Sequence, residues 1–194
     1  MPRLVEFIFP IRIEPLTRVM RVRGADVYVH WTVFLFLGLC LLGVLKQPWI
    51  TLVCMLCYLS IIFIHECGHL IAAQRLGCRV LDIRLYPVLG LTHFDTPWSR
   101  FDHCVIAWGG VLAQAVVALP LVVWVSIFGY TSIGVINAVF AILGFVSLGI
   151  AAFNLLPFEP FDGAIAWGII PETWKRLRNR GKAKKQAAGG WSSY

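Results

Sequence analysis

A run of 55 residues, 104–158, contains no Asp, Glu, Lys or Arg. As a single helix this run would be roughly 80 Å long at 1.5 Å per residue, whereas the hydrocarbon core of a bilayer is about 30 Å thick. The run must therefore cross a membrane more than once, and the turn-forming sequence GYTSIG at 129–134 predicts where it folds back. The composition agrees, because 14% of the residues are charged, compared with about a quarter in soluble domains.

Four transmembrane helices are predicted along the chain. The first two occupy residues 27–45 and 48–73, and the last two run to about residue 128 and from about residue 133. Between the second and third helices, residues 78–103 alternate polar and apolar side chains around Pro87 and Gly90, which predicts a small β-hairpin-like segment at the membrane face. We therefore expect an all-α polytopic membrane protein with this one extended segment.

The distribution of basic residues predicts the orientation. Sixteen of the seventeen Lys and Arg residues fall on one side if four helices cross, which leaves Lys46 on the other. Loops rich in Lys and Arg stay in the cytoplasm, so both termini of this multi-pass cell-membrane protein are expected there. The net charge of +7 is accounted for by anionic lipid headgroups, and we expect no nucleic-acid partner.

Three regions follow from this pattern: a basic N-terminal segment (1–26), a membrane core (27–170) and a basic tail (171–194). We expect the tail to be solvated and partly disordered from Lys175 onward, because it combines many charges with few apolar residues.

Two histidines and a glutamate lie inside the apolar second helix, in the sequence SIIFIHECGHLIAAQRLG at 60–77. Ionisable side chains at membrane depth cost on the order of 2.5–3.5 kcal/mol on insertion scales, so they usually mark a functional site. His65 and His69 share one helix face at i and i+4, and Glu66 lies beside them. This is the H-E-x-x-H arrangement, in which two imidazoles bind zinc and the glutamate serves as general base.

A catalytic zinc usually has three protein ligands and a water, so a third ligand is expected. The candidates are the nearby carboxylates and histidines Asp82, His93, Asp95, Asp102, His103, Glu159 and Asp162. Helices two and four both run toward the cytoplasm, so Asp162, just after helix four, can reach the depth of the two histidines. Pro157, Pro160 and Gly163 break the helix there, and broken backbone at this depth is tolerated around buried or water-filled cavities.

The sequences HECGH at 65–69 and NLLPFEPFDG at 154–163 resemble the two motifs of the site-2 protease family of intramembrane zinc metalloproteases, H-E-x-x-H and N-x-x-P-x-x-x-x-D-G. The segments VYVHWT at 27–32 and AWGGVLAQ at 107–114 resemble the starts of two core helices in that family. Ala164 stands where the family usually has a second glycine, and we expect a short form without a PDZ or CBS module.

The resemblance implies a role for each matching residue. His65, His69 and Asp162 would bind one Zn²⁺ per chain, Glu66 would activate water, and Asn154 would assist substrate or oxyanion binding. The function implied is that of an intramembrane zinc metalloendopeptidase that cleaves transmembrane segments of substrate proteins. The rival hypothesis is a catalytically inactive zinc-binding scaffold or a protein that binds a partner helix, and an intact Glu66 argues against it because a structural site needs no base.

Three further histidines have less defined roles. His30 is interpreted as an interfacial histidine rather than a pocket residue. His93 near Asp95 and His103 near Asp102 suggest a second metal site, but a solvated loop is the favoured interpretation.

Overall fold

Helices, most of them apolar, and one small sheet make up the parts of the chain that the computed structural model describes, residues 16–43, 48–87 and 89–189. The strands are β1 (Leu16–Val22), β2 (Ala25–His30), β3 (Val80–Leu85) and β4 (Gly90–Phe94). The helices are α1 (Trp31–Gly43), α2 (Pro48–Arg75), α3 (Arg100–Phe128), α4 (Gly134–Asn154), α5 (Gly163–Ala166) and α6 (Ile169–Gly189).

Three of these helices, α2, α3 and α4, are long and apolar enough to cross a membrane. The third and fourth predicted helices are confirmed as α3 and α4, and α4 contains a π-helical stretch, Phe140–Val146. The first predicted span is different: its opening residues belong to β2, and the apolar part of α1 is the shorter segment Trp31–Cys40. The sequence ADVYVH explains this, because alternating β-branched and aromatic residues favour a strand.

The sheet has the strand order β1-β2-β3-β4. β1 and β2 pair antiparallel, with Gly24 at φ 92° in the turn between them, and β3 and β4 also pair antiparallel. β2 and β3 are parallel, and the connection between them passes through α1 and α2. The predicted hairpin is therefore confirmed as β3–β4, but the all-α fold class was incomplete, because residues of the predicted N-terminal basic segment and first helix form two more strands.

The sheet packs against the C-terminal end of α2 and the start of α3. Its buried apolar core combines residues of both helices with those of the strands: Ala25, Val27, Leu70, Ala73, Cys78, Val80, Ile83 and Ile106. The helix α2 ends at Arg75, where Gly77 adopts φ 78°, a conformation that favours glycine, and the Cys78 amide donates to the Ala73 carbonyl. The sheet thus covers the end of α2 that carries the histidines.

The helices α2 and α3 meet through glycines. A Cβ added to Gly109 would lie 2.6 Å from the carbonyl oxygen of Gly68 and 2.9 Å from Cβ of Ala72, closer than real side chains approach. Small residues at such a contact let two membrane helices pack backbone against backbone.

The C-terminal segment is helical where the sequence predicted a partly disordered tail. The helix α6 crosses the predicted boundary at residue 170, and residues 190–194 lie outside the described part. Arg176 attaches α6 to the start of α3: its guanidinium donates to Ser99 Oγ at 3.1 Å and lies 3.8 Å above the Phe101 ring. This contact was not foreseen because it joins residues 75 or more positions apart.

Lys46 and the residues before Leu16, including part of the predicted basic segment, also lie outside the described residues.

Candidate metal centre

His65, Glu66 and His69 are buried in the C-terminal half of α2, with 8%, 3% and 7% of their surfaces exposed. His65 Nε2 and His69 Nε2 lie 3.0 Å apart, as expected for i and i+4 positions on one helix face. At this degree of burial a polar group without a hydrogen-bond partner is costly.

Asp162 approaches the two imidazoles from the segment after α4. Its Oδ2 lies 2.9 Å from His65 Nε2 and 3.2 Å from His69 Nε2. Burial by itself would raise the pKa of Asp162, but hydrogen bonds and charge from His65 and His69 outweigh it and lower that pKa below its usual range. The carboxylate is therefore ionised, which is the form that binds a cation.

The segment that carries Asp162 is fixed by contacts between its own backbone and two tryptophans. The indole N–H of Trp167 donates to the Leu155 carbonyl at 2.7 Å, and that of Trp108 donates to the Ala166 carbonyl at 3.0 Å. Gly163 follows Asp162 and lies so close to the Leu155 and Leu156 carbonyls that any side chain there would collide with them. These contacts explain how Asp162 is kept next to His65, which lies 97 positions earlier in the sequence.

Both imidazoles are oriented by hydrogen bonds on their far sides. His69 Nδ1 lies 2.8 Å from the Ile106 carbonyl, which can only accept, so Nδ1 carries the hydrogen. His65 Nδ1 donates in the same way to Gln114 Oε1 at 2.9 Å. Each ring therefore turns Nε2 toward Asp162, and Nε2 is the atom that would bind a metal ion in place of a hydrogen; such outer hydrogen bonds are typical of metal-binding histidines.

Gln114 is a residue that the sequence reasoning missed. It is 1% exposed, and its Nε2 has no hydrogen-bond partner among the described residues. An unpaired buried donor costs about 1–3 kcal/mol, so packing alone does not account for an amide at this place. Its isolation within the apolar sequence VLAQAVV was the signal that could have identified it.

The three ligand atoms fit a metal ion. His65, His69 and Asp162 can offer atoms that all lie within 4.8 Å of one another, and within the described ranges no other trio of His, Cys, Asp or Glu was found. Four ligands at 2.0–2.1 Å around tetrahedral zinc lie about 3.3 Å apart, which is close to the separations seen here. Gly110 provides the room, since a Cβ there would lie 2.6 Å from His65 Cε1 and from His69 Nε2.

The other candidate ligands lie elsewhere. His93 is on β4, in a strand rather than the predicted solvated loop, and its Nδ1 lies 2.7 Å from Asp82 instead of pairing with Asp95. Asp102 accepts from Ser99 at the start of α3, and Glu159 is exposed. His103 packs edge-on against Phe94, with ring centroids 6.2 Å apart.

His30 and Asn154 are the two remaining residues that the sequence analysis considered. His30 is buried at the end of β2, where its Nδ1 lies 2.6 Å from Thr32 Oγ1 and its ring packs near Tyr86. Asn154 is half-buried as the last residue of α4, and its role stays a prediction.

The fold and the site together define a class: membrane proteins with a candidate metal centre built between apolar helices. No family model matches the chain. A Synechocystis protein named as a zinc metalloprotease is 29% identical over 180 residues, covering 78% of this chain and 44% of that protein. A zinc metalloprotease of Methanocaldococcus jannaschii is 26% identical over 166 residues, covering 84% of this chain and 48% of that protein.

The fold comparison agrees with these relatives. The site-2 protease from Methanocaldococcus jannaschii superimposes with a TM-score of 0.65 at 22% identity, over 82% of this chain and 73% of that one. The resemblance to the site-2 protease family of intramembrane zinc metalloproteases is therefore confirmed. The chain spans somewhat less than half the length of the two zinc metalloproteases it matches.

Proposed function

We propose that this chain is an intramembrane zinc metalloendopeptidase that cleaves transmembrane segments of other proteins. The observation that carries the proposal is the meeting of His65, His69 and Asp162, with a buried glutamate next to the first histidine. The relatives named zinc metalloproteases and the shared site-2 protease fold support the same activity.

In this proposal each residue of the site has one task. His65, His69 and Asp162 hold one Zn²⁺ per chain, and Glu66 accepts a proton from the attacking water and passes it to the leaving amine. When bound, zinc polarises the scissile carbonyl and acidifies water. Asn154 donates a hydrogen bond to the substrate or to the developing oxyanion.

The proposed substrate is a transmembrane helix, which must unwind locally because its carbonyls are engaged in helical hydrogen bonds. β4 is the last strand in the described sheet order, so its outer edge is a suitable place for an extended peptide to pair. Glu66 contacts this strand through Thr92, which brings the edge and the glutamate together. Cleavage there would release a domain toward the cytoplasm.

The proposed arrangement in the membrane has four crossings, with α1 added to the three long apolar helices. Both termini and the sheet then face the cytoplasm, where the basic residues lie next to anionic headgroups. The partners are a transmembrane substrate and the lipid bilayer.

Replacing the proposed base tests the activity against the rival scaffold hypothesis. We expect Glu66→Gln to keep zinc and lose cleavage of a single-pass membrane substrate by about 10²–10⁴-fold, because the proton acceptor is removed. Cleavage and zinc content are measured on the same proteoliposomes. Glu159→Gln, which removes an exposed carboxylate after α4, serves as the matched control and should cleave as the wild type does. Wild-type cleavage by Glu66→Gln, or a defect confined to partner binding, would replace the protease proposal with the scaffold.

A further inference from the structure

The side chain of Glu66 is in contact with strand β4. The hydroxyl of Thr92 donates to Glu66 Oε2 at 2.7 Å, across 26 positions of sequence. The same hydroxyl lies 3.4 Å from the main-chain carbonyl of Glu66. The strand therefore contacts both the carboxylate and the helix backbone of this residue.

Gly90 places the strand at this short distance. Residues 90 and 92 lie on the same face of β4, because side chains alternate along a strand. A Cβ built on Gly90 would collide with Cγ, Cδ and Oε1 of Glu66. Glycine at position 90 thus allows the backbone of β4 to lie against the carboxylate, next to the hydroxyl that binds it.

A glutamate at this place needs an external contact to be oriented. Successive residues of a helix are about 100° apart, so Glu66 does not share the face of His65 and His69. Its side chain has three rotatable torsions, so holding it in one orientation costs conformational entropy. The bond from Thr92 engages Oε2 and leaves Oε1 without a hydrogen-bond donor among the contacts described for these residues.

We propose that Thr92 is a positioning residue for Glu66: its hydroxyl holds Oε2 and so fixes the orientation of the carboxylate that accepts the proton. The inference rests on the proposed function in assigning Glu66 as the base, but the contact itself is independent of that assignment. Thr92 acts through Glu66 and does not bind the metal.

Kinetics of two substitutions separate positioning from a purely structural role. Thr92→Val keeps the shape of the side chain and removes the donor, and Thr92→Ser keeps the donor. We expect Thr92→Val to lower kcat by about 10–100-fold with KM and zinc content unchanged, and Thr92→Ser to stay within about threefold of wild type. Thr173→Val, which removes a hydroxyl bonded to its own helix in α6, is the matched control and should be unaffected.

Several results would overturn the proposal. Wild-type kcat in Thr92→Val would mean that the hydroxyl does not matter, and an equal defect in Thr92→Ser would mean that the methyl packing does. An increase in KM alone would make Thr92 a substrate contact instead. Faster amide hydrogen exchange across residues 80–94 in Thr92→Val would show that the strand itself had been disrupted, and would also contradict a positioning role.

A double-mutant cycle on thermal unfolding tests the contact without any turnover. Thr92→Val should lower Tm more in the wild-type background than in a Glu66→Ala background, because the carboxylate partner is then already missing and only the longer contact to the main-chain carbonyl remains. Equal Tm shifts in both backgrounds would contradict the proposal. If the wild-type protein cleaved no substrate while the cycle showed this coupling, the proposed function would fail and the Thr92–Glu66 contact would stand.

Discussion

His65 and Glu66 are neighbours on one helix, yet different parts of the molecule hold their side chains. His65 is fixed by Gln114 of α3 and Asp162 after α4, whereas Glu66 is fixed by Thr92 of β4. The helical turn of about 100° between them sends one side chain toward the helices and the other toward the sheet. If the proposed function is right, metal binding and proton transfer depend on separate parts of the structure, and mutations should be able to impair one without the other.

The largest effect should come from removing both imidazoles. We expect His65→Ala/His69→Ala to lose zinc and all measurable cleavage, because one carboxylate remains of the three ligands. Elemental analysis of the purified protein measures the metal. His93→Ala is the control. His93 follows Thr92 on β4 and pairs with Asp82 of β3, so this variant should retain one zinc per chain. Stoichiometric zinc in the double variant would place the metal near His93 and His103 instead.

Removing the third ligand should have a smaller and partly reversible effect. Asp162→Ala leaves both histidines with their outer hydrogen bonds, so we expect weakened zinc binding that added zinc partly restores. Cleavage should recover over the same zinc concentrations, in contrast to Glu66→Gln, which zinc should not rescue. Titration of activity against free zinc measures both variants. Full activity of Asp162→Ala without added metal would show that another group completes the site.

The smallest effect should follow from the loss of Gln114. Gln114→Leu removes the acceptor for His65 Nδ1, and losing such an outer partner typically lowers metal affinity by 10–100-fold. Competition with a zinc chelator measures the affinity. Ser126→Ala, in the same helix but bonded to its own Val122 carbonyl, is the matched control. If Gln114→Leu instead reduced kcat at saturating zinc, the contacts of the histidines and the contact of Glu66 with β4 would not act separately.

The sequence predicts the local part of the site best. The i, i+4 spacing puts His65 and His69 together without knowledge of the fold, and the direction of two helices brings Asp162 to their depth. The structure agrees in bringing these three side chains together. The predicted helices 104–128 and 133 onward also needed only length and hydropathy, which are properties of each segment by itself.

Contacts between elements that are distant in sequence could not be predicted from the sequence alone. Nothing in LTHF distinguishes Thr92 from any polar residue on a strand, because its meeting with Glu66 depends on how the sheet packs on α2. The strands β1 and β2 were missed for a similar reason. The alternation of polar and apolar side chains in these strands is short. Residues 16–26 were assigned to the basic N-terminal segment, and residues 27–30 to the apolar helix that continues after His30.

The glycine contact between α2 and α3 limits which parts of the protein can move. Gly68 and Gly109 are in backbone contact and Gly110 lies against the imidazoles, so none of the three positions has room for a side chain. The two histidines therefore belong to a closely packed pair of helices. Under the proposed function, we therefore expect a polypeptide to enter by displacing the segment of Asp162 or strand β4 rather than by separating these two helices. A substrate that enters beside β4 would then disturb Glu66 first and leave the metal ligands in place.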